Sequence, residues 1–64
     1  MLSLEEMINS CRESAAASMI VYEQLKREND KRNADIVLGA AERLMQIADW
    51  LSDYKRLLGV GVKE

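Results

Sequence analysis

The chain has 64 residues with one cysteine, no histidine, no proline and a formal net charge of −2. A lone Cys rules out an internal disulfide framework, and the lack of His removes the commonest zinc ligand. A domain of this size rarely gains more than ~3–5 kcal/mol from its own core, so oligomerisation is the expected source of the missing stability.

A composition of 48% hydrophobic and 31% charged residues is that of a folded domain rather than a disordered one. Residues 1–30 carry three basic and six acidic groups, and residues 31–64 carry six and five. Neither half forms a basic arm, which argues against phosphate-driven nucleic-acid binding. The longest apolar run, Ala15 to Tyr22 with Ser18 inside it, is far shorter than the ~20 residues of a membrane span. The opening Met-Leu-Ser-Leu-Glu-Glu lacks the positive region of a signal peptide, and a single thiol fits a reducing compartment. A cytoplasmic location is therefore expected.

The first element is a helix over about residues 3–28. Leu4, Ile8, Cys11, Ala15, Ser18, Tyr22 and Leu25 step alternately by four and three, which keeps one stripe in line along a packed helix. Met7, Ser14 and Val21 widen the stripe. Ser3 is the expected N-cap, with Glu5 and Glu6 in the first turn and Glu6 completing a capping box. Ala16, Ala17 and Ile20 point away from the stripe yet stay apolar, so the middle of this helix is expected to meet a second interface.

Eight polar residues, Lys26 to Asn33, follow. Asn29 and Asp30 tolerate left-handed backbone, so the chain is expected to reverse over about residues 29–33. The seam also slips register here: extending the first stripe would use positions 32, 36 and 39, whereas the second uses 37 and 40. The rival is one continuous helix of roughly 55 residues, about 80 Å long.

A second helix is expected over about residues 34–58. Val37, Ala40, Leu44, Ile47, Leu51, Tyr54 and Leu58 repeat the heptad steps, flanked by Ile36, Trp50 and Leu57. Lys55 and Arg56 suit the negative end of the helix dipole, and Gly59 stands where a left-handed cap is expected, leaving 59–64 as a short flexible tail with Val60 folding back. A further row, Leu38, Ala41, Met45 and Ala48, is expected to pack against another hairpin or, if the bundle leaves it free, to be the docking surface for a foreign partner.

No constellation for catalysis emerges. Cys11 lies on the apolar stripe, where a thiol acts as a small hydrophobe, and Asp49 with Asp53 reads as a solvated face because the Glu-x-x-His pattern of di-metal bundles is missing. No cofactor or metal is expected. Lys31 with Asp35, and Asp49 or Ser52 with Lys55 or Arg56, read as surface pairs.

The length, the polar turn near residue 30, the paired heptads and the Ala34-Asp35-Ile36 start of the second helix resemble the Rop family of plasmid RNA-binding regulators. That resemblance implies an all-α helical hairpin dimerising into an antiparallel four-helix bundle. Rop-like proteins contact RNA through the outer face of the first helix; here Asn9 is similar, while Leu2, Glu13, Ala17 and Gln24 depart from the pattern. The stretch Ala48 to Leu58 resembles the ends of small uncharacterised helical proteins of phages and prophages. The expected function is a non-enzymatic protein-interaction or regulatory module acting as a homodimer, and the phage resemblance implies a phage-encoded modulator of a host protein. The alternatives are a nucleic-acid-binding regulator using Lys26, Arg27, Lys31 and Arg32, and a purely structural oligomerisation piece.

Overall fold

The computed structural model describes residues 2–63, with side chains over 2–59. Two helices, α1 (Leu4–Arg27) and α2 (Lys31–Lys63), pack antiparallel as a hairpin measuring 54 × 17 × 14 Å. The chain is not one continuous helix.

Helix α1 begins as its first residues dictate. Ser3 is extended (φ −71°, ψ 165°). Its Oγ accepts the Glu6 N–H at 3.1 Å, and Glu6 Oε1 accepts the Ser3 N–H at 2.9 Å, satisfying two amides that lack helical partners.

The reversal is tighter than expected, occupying Glu28 to Asp30 rather than 29–33. Asn29 is left-handed (φ 60°). Its N–H donates to the Lys26 carbonyl at 3.1 Å, and the Asp30 N–H donates to the Leu25 carbonyl at 2.9 Å. These two bonds form a Schellman closure of α1. Asp30 then opens α2: its carbonyl accepts the Ala34 N–H at 3.0 Å and its carboxylate takes both the backbone and side-chain N–H groups of Asn33, at 3.4 and 2.8 Å. One residue thus ends one helix and caps the next, so α2 starts at Lys31 rather than 34.

The expected stop at residue 58 does not occur either. Gly59 does not adopt positive φ, and α2 continues to Lys63. Without a left-handed residue or a proline there is nothing to break the backbone ladder, and a glycine inside a helix costs only ~1 kcal/mol. The expected tail is therefore helical through Lys63, and Glu64 and the Val60 side chain lie outside the described residues.

Between the helices, all seven stripe residues of α1 turn inward: Ile8 and Ala15 are buried, and Leu4, Cys11, Ser18, Tyr22 and Leu25 are half-buried. Ser18 satisfies its hydroxyl within α1 by donating to the Ser14 carbonyl at 2.9 Å. On α2 the contact differs from the expected seam. Ala34, Ala41 and Ala48 are buried, while Ala40, Tyr54 and Leu58 are exposed. Relative to the row read from the large residues, α2 is rotated by roughly 90° toward its alanines, about a quarter of a turn. Small side chains seven residues apart let two helix backbones approach closely, and Val37, Leu44 and Leu51 then close over the contact from one side.

Candidate interaction surfaces

The inward stripes divide the outside of the hairpin into two flanks and two helix backs. One flank is charged. Glu5, Arg12, Glu23 and Lys26 of α1 fall beside Asp35, Glu42, Asp49 and Arg56 of α2 at helical spacing. Two cross-helix contacts fix its register: Glu5 Oε2 lies 3.5 Å from Lys55 Nζ, and Arg12 Nη2 donates to Ser52 Oγ at 3.3 Å. Lys55 and Ser52 therefore reach across to α1, while Arg56 pairs along its own helix with Asp53 at 3.0 Å.

This flank holds a groove of about 620 Å³. Its lining includes the buried Ala15 and Ala41, the exposed Met19 and Met45, and the charged Arg12, Glu42 and Asp49. Flexible thioethers beside methyl groups make a seat for an apolar side chain. The docking row expected on α2 is corrected here. Ala41 (3% exposed) and Ala48 (0%) belong to the hairpin contact, because their methyls are what α1 packs on, and Leu38 is half-buried. Only Met45 of that row is open.

The opposite flank is nearly free of charge. α1 presents Met7, Ser14 and Val21 there, backed by Ser10, Ala17 and Gln24, and α2 presents Ala40, Ile47 and Tyr54 with Ile36 and Arg43 at the outer edge, while Trp50 and Leu57, about half a turn from the buried Ala41 and Ala48, lie on the back of α2. Apart from Glu28 at the turn, Arg43 is the one charged group among these described positions. Ile36 is 62% exposed, Trp50 57% and Leu57 68%. The half-buried Val37, Leu44, Leu51 and Cys11 open toward this flank too. Sequence reasoning singled out Ile36, Trp50 and Leu57 only as flanking residues; they share one heptad row on the outer side of α2, interrupted by Arg43.

The remaining expected sites lie elsewhere. Ile20 stands on the back of α1, 71% exposed, and the exposed Ala16 and Ala17, four and three residues before it, flank it on either side, so the three form one open patch on that helix. Lys26, Arg27, Lys31 and Arg32 are exposed around the turn, and Lys26 Nζ sits 5.4 Å from the centre of the Tyr22 ring. No group of three or more metal-ligating side chains occurs among the described residues. Nor, among them, is any helix long and apolar enough to cross a membrane. Comparison with protein-family models, curated proteins and solved structures returned no match.

Proposed function

We propose that the chain is a non-catalytic interaction module that works as a homodimer, two hairpins completing an antiparallel four-helix bundle. The observation that carries this reading is the mismatch between what one hairpin buries and what it leaves out. Among the described residues the buried ones are Ile8 and four alanines, whereas Ile36, Trp50 and Leu57 stand more than half exposed. Full burial of one large apolar side chain is worth ~1.5–3 kcal/mol, several times what an alanine methyl contributes. The larger share of the available hydrophobic stabilisation is thus realised only when another apolar surface covers this one.

Sedimentation equilibrium combined with thermal melts at graded protein concentrations tests the reading. Two-chain mass and a melting midpoint that rises with concentration are expected, because association stabilises by mass action. A folded 7.3 kDa species whose midpoint ignores concentration would overturn it.

A further inference from the structure

We propose that the groove on the charged flank is the docking site for a basic amphipathic helix of another protein, whose apolar row packs on Met19 and Met45 and whose lysines and arginines face Glu42 and Asp49. The groove is present on the single hairpin, so it is a surface additional to the one a second copy covers.

The groove sets the shape of its occupant. Its lining runs from Arg12 to Met19 on α1 and from Ala41 to Asp49 on α2, about 10–12 Å along each helix. That is roughly two helical turns, the length over which a third helix laid along the pair offers apolar side chains at i, i+3, i+4 and i+7. Ala15 and Ala41 are each 3% exposed, and beside them only methyl groups occupy the space that larger side chains would fill. Met19 and Met45 stand 37% and 46% exposed, and their thioethers adapt to side chains of different shape.

Charge sets the chemistry of the occupant. Asp35, Glu42 and Asp49 follow one another at seven-residue spacing on the α2 side of this flank, all exposed and none in an ion pair among the described residues. Glu23 adds a fourth carboxylate from α1. Against these four the flank offers Arg12 and Lys26, since Glu5 is paired with Lys55 and Arg56 with Asp53. Arg12 is turned toward Ser52 by its 3.3 Å hydrogen bond, and Lys26 lies over the Tyr22 ring. A charged row beside an apolar seam is the position from which helices select partners of opposite sign. Carboxylates seven residues apart recur every ~10.5 Å, which matches basic side chains two turns apart on the incoming helix.

The same charges disfavour a second copy as the occupant. In a two-fold contact a surface meets itself, so the excess of carboxylates on this flank would face its own image. Like charges brought together in this way weaken association.

The test uses the wild-type chain with carbon-13 methionine methyls. The probe is a synthetic amidated helix of leucine and lysine, with leucines at i, i+3, i+4 and i+7, titrated at about 50 mM salt. The Met19 and Met45 signals should shift while that of Met7, on the opposite flank, stays in place, and a counterpart helix with glutamate for lysine should shift neither. Glu42→Lys together with Asp49→Lys should raise the dissociation constant of the lysine helix about tenfold or more. Glu13→Lys together with Glu28→Lys, the same change of net charge placed away from the groove, should leave it within about threefold. Shifts at Met7 in place of Met19 and Met45, equal binding of the glutamate helix, or equal losses from the two charge-reversed pairs would overturn the proposal. Met19 and Met45 signals that move when the chain alone is diluted from oligomer to monomer would put a second copy in the groove and overturn it as well. A chain that sediments as a monomer yet shifts at Met19 and Met45 with the lysine helix would overturn the dimer and support the docking site.

Discussion

At the residue scale, two positions bind the ends of α1 to chemistry that can be measured. Asn29 holds φ 60°, where a Cβ clashes with its own carbonyl unless the side chain is short and polar. Asn29→Gly should leave stability unchanged or raise it by up to ~1 kcal/mol, and Asn29→Val should lower it by about 1–2 kcal/mol, as read from urea unfolding midpoints. Equal stability of the two variants would show that the turn does not depend on this backbone conformation. Glu6 titrates below its ordinary value, first because the Ser3 backbone N–H donates to its carboxylate and second because of the Ser3 hydroxyl. A depressed carboxylate contributes stability that is present above its unfolded value and lost as pH falls through the folded one. Nuclear magnetic resonance titration should place the Glu6 midpoint below 4.5, and Glu6→Gln should remove its share of the acid destabilisation. Both residues were readable in advance, because caps and turns depend on neighbours within a few positions.

Helix α1 was legible in full and α2 only in part, for a reason that lies in its composition. The α1 stripe contains Leu4, Ile8, Tyr22 and Leu25, so the large apolar residues and the inward face coincide. On α2 the inward face is Ala34, Ala41 and Ala48, and the large residues stand to one side of it. Periodicity weights side-chain size, whereas helix contact also rewards small side chains that admit a neighbouring backbone. Ala48→Leu therefore inserts bulk at a position with no exposure and should cost about 1–3 kcal/mol by prising the helices apart. Gly39 provides the contrast. A Cβ added there meets nothing within 4 Å, so Gly39→Ala should stabilise α2 by about 0.5–1 kcal/mol. Thermal melts giving the same sign for both substitutions would refute the alanine contact.

At the scale of the whole molecule, apolar surface rather than charge governs stability. The Glu5–Lys55 and Asp53–Arg56 pairs are formed by well-exposed side chains, and such pairs contribute about 0–1 kcal/mol before screening. Raising sodium chloride from about 50 mM to about 500 mM should shift the melting midpoint by only a few degrees, while ammonium sulfate should raise it. A collapse of stability in sodium chloride would mean that the ion pairs dominate. Local signals in the chain determined that two helices form, that α1 starts at Ser3 and that the backbone reverses near Asn29, since each depends on hydrogen bonds and spacing within a few residues. Packing alone decided that Ala41 and Ala48 lie inside while Tyr54 and Leu58 lie outside, and that the charges gather on one flank. Those outcomes follow from how far one helix rotates against another, a quantity set by steric fit across the contact and encoded at no single position.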